Sequence, residues 1–204
     1  TTARRGMSAN YWKQPLKWHK AAEADGVRRR VFCASMADVF EEHPGVVEWR
    51  AELFALIEQT PALDWLLLTK RPENMPRFAP AHWAGGWPNN VWAMTSVENQ
   101  AQANKRIPLL LQVPARVRGL SCEPLLGPVN IEPYMCICGA CFRGEPCGSG
   151  VHWVIVGGES GPGARPMHPE WARSLRDQCQ AARGAFHFKQ WGEYRPAEES
   201  DWLN

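Results

Sequence analysis

The sequence predicts an α/β protein, a partial TIM-like (β/α) barrel with about six parallel strands. Three observations predict it. Short apolar runs recur along the chain, helical patterns alternate with them, and polar residues gather where each run ends. Near-continuous apolar runs mark strands buried on both faces, as in a parallel sheet covered by helices. Polar residues at the carboxyl ends of such strands are where α/β folds build their sites.

The first run is Val31-Phe32-Cys33-Ala34-Ser35, ending near Asp38. The second, Trp65 to Leu68, leads into Thr69-Lys70-Arg71, and the third, Val91 to Ser96, leads to Glu98 and Asn99. Val117 to Ser121 passes into Cys122-Glu123-Pro124. Val154-Ile155-Val156 is followed by Gly157-Gly158-Glu159-Ser160-Gly161, and Phe186 to Phe188 by Lys189-Gln190-Trp191.

Between the runs, Val46, Trp49, Leu53, Leu56 and Ile57 share one helical face before Thr60-Pro61 stops the helix. Residues 72–81 are Pro-rich and predict a short helix and a loop. Asn99 is placed to cap the next helix, with Pro108 either breaking it or opening a new one. A further helix runs from Pro169 to Ala182, with Trp171, Leu175 and Cys179 on its apolar face and Gly184 as its terminator. Ahead of the first strand, a helix within Tyr11 to Ala24 is weakened by Pro15. No Rossmann glycine fingerprint follows the first strand, which favours a barrel over a dinucleotide-binding sheet.

The 204 residues suit one barrel-like domain over 1–204, with 131–150 a Gly- and Cys-rich insertion at its top or rim. A hydrophobic fraction of 45% with 22% charged residues is that of an ordinary globular protein. The formal charge of +2 gives no nucleic-acid footprint, and Arg28-Arg29-Arg30 reads as a solvated lead-in to the first strand. Most of the eleven tryptophans are expected between helices and sheet, each N–H with a partner. No apolar run of about 18 residues predicts a membrane span. The odd count of seven cysteines argues against a disulfide framework and for a reducing, cytoplasmic setting.

Four of those cysteines, Cys136, Cys138, Cys141 and Cys147, lie in the insertion among glycines. Four thiolates so close suit a closed, structural tetrahedral zinc site; an iron–sulfur cluster, or a reduced loop with no common metal, is the alternative. Gly157-Gly158 lets backbone approach a ligand, and Glu159 can accept from an amine or hydroxyl. Glu123 is fixed beside Pro124, and Lys70, Arg71 and Lys189 bring positive charge to the same rim. The candidate catalytic residues are Glu123, Glu159 and Lys189. The candidate ligand-binding residues are Ser35, Asp38, Thr69, Lys70, Arg71, Ser96, Glu98, Asn99, Ser121, Gly157, Gly158, Ser160 and Gln190. Alternatively the charges form a structural ion-pair network. His152 and His187 read as packing residues, and His168 as serving a helix start.

Six motifs in order, Phe32-Cys33-Ala34-Ser35-Met36-Ala37-Asp38, Leu68-Thr69-Lys70-Arg71-Pro72, Ser96-Val97-Glu98-Asn99-Gln100, Ser121-Cys122-Glu123-Pro124-Leu125-Leu126-Gly127-Pro128, Gly157-Gly158-Glu159-Ser160-Gly161-Pro162 and Phe188-Lys189-Gln190-Trp191-Gly192-Glu193, span most of the chain. Together they resemble a phage-associated, functionally uncharacterised family related to the TIM-barrel-like radical S-adenosylmethionine enzymes. The resemblance implies a cysteine-rich stretch ahead of the first motif, whose three thiolates would hold a four-iron four-sulfur cluster and leave one iron for S-adenosylmethionine. Nothing cysteine-bearing precedes Cys33, so either the sequence begins downstream of that stretch or this version lacks it. Without it, reductive cleavage of S-adenosylmethionine is not expected. In radical S-adenosylmethionine enzymes generally, a Gly-Gly-Glu motif follows an early strand; here it follows a late one.

The leading expectation is thus a radical S-adenosylmethionine-type enzyme domain of unknown substrate. The alternative is a non-catalytic phage-related binding module using the barrel rim and a zinc-stabilised insertion. A weaker third is a metal-independent barrel enzyme acting on a phosphorylated or carboxylated small molecule.

Overall fold

The computed structural model describes residues 6–33, 37–136, 138 and 149–195. The elements are α1 (Ala9–Trp12), α2 (Gln14–Asp25), β1 (Arg29–Cys33), α3 (Val47–Gln59), β2 (Leu63–Thr69), α4 (Met75–Phe78), β3 (Val91–Ser96), α5 (Gln100–Leu110), β4 (Val117–Cys122), β5 (Trp153–Gly157), α6 (Pro169–Ala181) and β6 (Ala185–Gln190). Six strands pair in parallel in the order β1-β2-β3-β4-β5-β6. Each strand lies beside the next in sequence, so the sheet curls one way into a half-barrel that stays open between β1 and β6. This is the partial TIM-like fold that the apolar runs predict.

Strand alternation sorts the side chains into an outer and an inner layer. Outward, Leu63, Trp65, Leu67, Val91, Ala93, Leu120, Val154 and Val156 join one core with Leu53, Phe54 and Ile57 of α3, Ala103, Ile107 and Leu110 of α5, and Leu175 and Cys179 of α6. Each fully buried Leu or Ile contributes about 1.5–3 kcal/mol. Inward, Leu66, Met94 and Ile155 form a second cluster with Leu68, Trp92 and Trp153 against it. Gly119 belongs to that inner layer: a Cβ there would meet Met94 Cε at 3.0 Å and the Trp153 carbonyl oxygen at 3.1 Å. The glycine makes room for Met94 to fill the concavity.

Helix ends follow the sequence in part. Asn99 caps α5, its Oδ1 accepting from the Gln102 N–H at 3.1 Å, and His168 caps α6 through Nδ1. Pro108, however, lies inside α5, which runs on to Leu110. Gly184 is not the left-handed terminator of α6; Arg183 takes that conformation with φ 55°. The Gly184 N–H still returns to the Cys179 carbonyl at 2.7 Å, closing the helix end. Pro15 does not dissolve the first helix but stands in the opening turn of α2, where its missing N–H costs nothing. On α3, Arg50 and Phe54 are buried, while Val46 and Trp49 are only half-buried.

Arg28-Arg29-Arg30 is exposed, but it is not a free lead-in: Arg29 and Arg30 are in β1 and Arg28 bonds Asp64. Trp65, Trp83 and Trp87 are buried as expected of tryptophan, and the first two donate to Thr60 Oγ1 at 3.0 Å and Glu58 Oε1 at 2.9 Å. Among the described residues no helix is long and apolar enough to cross a membrane.

The connection between β4 and β5 contains a 3-10 turn at Glu132–Tyr134 and a bridge between Met135 and Val151. The stem of the Cys-rich segment therefore starts and returns at the amino ends of the strands, away from the rim where Glu123 sits.

Candidate functional site at the carboxyl ends of the strands

The polar strand ends do fall on one rim, and they sort into linked groups. Asp38, after β1, accepts from four donors: Phe40 N–H at 3.0 Å, Thr69 Oγ1 at 2.6 Å, Lys70 N–H at 3.1 Å and Arg71 Nη1 at 2.8 Å. Thr69 in turn accepts from the Arg71 N–H at 2.9 Å. Asp38, Thr69 and Arg71 thus splice the end of β1 to the end of β2, and both carboxylate oxygens are committed.

Glu98, after β3, is buried, with Lys70 Nζ 2.8 Å from one oxygen and Arg106 Nη1 2.8 Å from the other. Arg106 also donates to the Ser96 carbonyl at 2.9 Å. Burial alone would raise the Glu98 pKa, but the Lys70 hydrogen bond and the charges of Arg106 and Lys70 outweigh it and hold the carboxyl below its ordinary value. The main chain of Glu98 accepts from Leu126 N–H at 2.7 Å, so the loop after β4 is tied back over β3.

Glu123 projects from the end of β4 across Gly157 of β5 toward β6. A Cβ on Gly157 would lie 3.1 Å from Glu123 Cδ and Oε1, so the bare glycine is what lets the side chain cross. Oε1 accepts from Lys189 Nζ at 2.7 Å and from Gln190 Nε2 at 3.4 Å; the latter also donates to Ser160 Oγ at 3.1 Å. Among the described residues no donor reaches Oε2. Lys189 is about half exposed, at 47%, and Glu123 18% exposed. An ion pair this open contributes about 0–1 kcal/mol to folding. The loop beyond is fixed by the Leu125 N–H to the Gly157 carbonyl at 3.0 Å.

Gly158 lies just beyond the register shift between Val156 and Gly157, and its N–H donates to the Gln190 carbonyl at 2.9 Å. Glu159 turns away from Glu123. Arg165 grips it with Nε and Nη2, each at 2.8 Å, and with its main-chain N–H at 2.8 Å. Those side-chain bonds first, and the main-chain bond second, pull the Glu159 pKa down to about 2. The turn that brings Arg165 back passes through Gly161 and Gly163, both with positive φ.

The structure thus brings Glu123, Lys189, Gln190, Ser160 and Gly157 together at β4–β6. Lys70, Ser96 and Glu98 meet at β2–β3, and Asp38, Thr69 and Arg71 at β1–β2. Ser121 is buried opposite Ser96 in the strand register. Asn99 serves as a helix cap, and Glu159 belongs to a separate pair with Arg165. Ser35, Cys141 and Cys147 lie outside the described residues. Cys136 and Cys138 are described, with their sulfurs 3.3 Å apart. Among the described residues no group of three or more His, Cys, Asp or Glu side chains could hold a metal.

Sequence reasoning missed Arg106 and Arg165. Arg106 stands two helical turns beyond Glu98 on the inward side of α5, and Arg165 follows a Gly-Pro-Gly turn after Glu159. Helical spacing and turn chemistry were the available signals.

No curated protein and no solved structure matches the chain. One family model does match, over residues 1–202, and that is nearly the whole chain. The chain belongs to the family described as Protein of unknown function (DUF5131).

Proposed function

We propose that the β4–β6 part of the rim binds a small zwitterion, as the methionine portion of S-adenosylmethionine would require, and that the chain is the barrel of a radical S-adenosylmethionine-type enzyme. One observation carries the zwitterion reading. Asp38, Glu98 and Glu159 each have both oxygens bonded, whereas Glu123 keeps Oε2 without a described donor. A ligand ammonium can therefore reach Glu123 without displacing anything. The ligand carboxylate then takes Lys189 Nζ, which carries more donors than its one bond to Glu123 uses.

Neither contact requires the Lys189–Glu123 bond to break, because Oε2 and the remaining Lys189 donors are the groups used. Each new charged contact returns about 1.5–3 kcal/mol. Gln190 and Ser160 offer polar groups beside the pair, whereas the faces of Gly157 and Gly158 are taken by the Glu123 side chain and the Trp191 carbonyl.

The four-iron cluster of radical S-adenosylmethionine chemistry does not fit the described thiols. Such a cluster needs three thiolates on one face, and among the described residues no three cysteines come together; only Cys136 and Cys138 stand side by side. The chemistry supported at the rim is therefore recognition of the ligand's two charges.

A second reading, a binding module without catalysis, is favoured by the saturation of the other three carboxylates. None of them is free to move a proton. Titration calorimetry with S-adenosylmethionine, its deaminated analogue and its decarboxylated analogue tests the zwitterion proposal. Saturable binding that weakens at least about tenfold on loss of either charged group supports it. Equal binding of all three, or none at millimolar ligand, overturns it. Anaerobic reconstitution with iron and sulfide, followed by reduction and chromatography, separates the two readings: cluster absorption with cleavage products means the enzyme, and intact ligand with no cluster absorption means the module.

A further inference from the structure

The opposite, amino-terminal mouth of the half-barrel is lined by different chemistry from the rim. It is a cavity of about 1000 Å³, near the upper end of the range for small-molecule sites. Alternation along the strands places Arg30 of β1, Trp92 of β3, Trp153 of β5 and His187 of β6 on the inner face, and Arg116 and Arg183 stand just before β4 and β6. The Arg30 guanidinium carbon lies 5.4 Å from the centre of the Trp92 ring and 4.9 Å from that of Trp153. The two indoles meet edge to face at 5.1 Å, and the His187 ring is 6.4 Å from Trp153.

The charge here is unbalanced. Among the described residues, Arg28, Arg30, Arg116 and Arg183 line the cavity with one carboxylate, Asp64. Asp64 is taken by Arg28, through Nε at 2.9 Å and Nη2 at 2.7 Å. Among the described residues no carboxylate pairs with Arg30 or Arg183. Planar cations held against an aromatic wall suit an anion joined to a flat ring. A small anion alone would leave the indoles unused, and a neutral aromatic would leave the arginines unused.

We infer that the amino-terminal mouth binds a nucleoside phosphate, with Arg30 and Arg183 on the phosphates and the base against Trp153 and His187. Leu66, Met94 and Ile155 fill the concavity between this mouth and the Glu123 rim, so the two sites load independently.

The test titrates the full chain with ATP, ADP, adenosine, inorganic phosphate and a short single-stranded oligonucleotide, following tryptophan fluorescence and heat. The expected result is one-to-one binding of ATP or ADP with a fluorescence change, and at least about tenfold weaker binding of adenosine and of phosphate. Arg30→Gln should weaken the nucleotide at least about tenfold. Arg183→Gly removes a cation while giving a φ of 55° to the residue that best tolerates it, so nucleotide affinity should fall with no loss of Tm. Unchanged affinity in both variants, equal binding of phosphate or adenosine, or an oligonucleotide bound more tightly than ATP would overturn the inference. So would the absence of binding at millimolar nucleotide. Glu123→Gln should leave nucleotide affinity unchanged, which separates a failure here from a failure at the rim.

Discussion

Alanine at Gly158 is expected to destabilise the protein, whereas alanine at the adjacent Gly157 should leave the fold nearly intact and disturb only the rim. A Cβ on Gly158 would lie 1.7 Å from the Trp191 carbonyl oxygen and 2.5 Å from its carbon. Both obstacles are main chain, just beyond the point where β5 and β6 shift register. Moving that contact out even to 3.0 Å requires the two strand ends to part by about 1.3 Å. Parting them breaks the 2.9 Å bond from the Gly158 N–H to the Gln190 carbonyl. Overpacking at about 1–3 kcal/mol and a lost hydrogen bond at about 1 kcal/mol together give about 2–4 kcal/mol. For a chain of this size that lowers Tm by about 5–15 °C. At Gly157 the obstacle is the Glu123 side chain, at 3.1–3.2 Å, which can swing aside. The expected cost is under about 1 kcal/mol, with Glu123 displaced from Lys189. Scanning calorimetry of the two variants checks both. A Gly158→Ala variant melting within a degree or so of wild type would refute the reasoning.

Other outcomes follow from the same geometry. Arg106→Ala leaves the buried Glu98 with Lys70 alone, and urea unfolding should show a loss of about 2–3 kcal/mol; a loss below about 1 kcal/mol would contradict the role given to Arg106. Because the Glu98 pKa is depressed on folding, its contribution is present above the unfolded value of about 4.3 and is lost as pH falls through the folded value. Tm should therefore drop on acidification below about pH 4, and Glu98→Gln should flatten that drop; an equal drop in the variant would assign it elsewhere. Cys122 and Cys179 are buried with pKa values pushed up by burial, whereas Cys138 is exposed. Peptide mapping after alkylation at pH 8 should find Cys138 labelled first and the other two only on unfolding.

The sheet was legible because the central strands β2–β5 are buried on the outer face and largely on the inner one, so the apolar run is nearly unbroken, as in Leu63–Thr69. The rim was legible for the same reason: a polar residue directly after such a run has nowhere to go but the strand end. Pairing within the rim was not legible. Glu159 resembles Glu123 in sequence context, yet a glycine-rich turn brings Arg165 onto one and a missing Cβ at Gly157 lets the other reach Lys189. Arg28-Arg29-Arg30 misled because exposed charge usually means a solvated face. Here alternation turns Arg30 onto two indoles that are more than sixty residues away in the chain. Helix ends failed where tertiary contacts decide them. At Gly184 a Cβ would meet Met135 Cε at 2.4 Å, so close approach rather than a left-handed turn accounts for that glycine.

The most direct test of the rim is the affinity of Glu123→Gln and Lys189→Met for S-adenosylmethionine, measured by calorimetry beside their melting temperatures. Each variant should bind about 10- to 100-fold more weakly than wild type, because each removes one charged partner of the ligand. Tm should stay within about 2 °C of wild type, because an ion pair whose lysine is half exposed holds little of the fold. Wild-type affinity in both variants, or a large fall in Tm with affinity unchanged, would make the pair a structural tie and contradict the account.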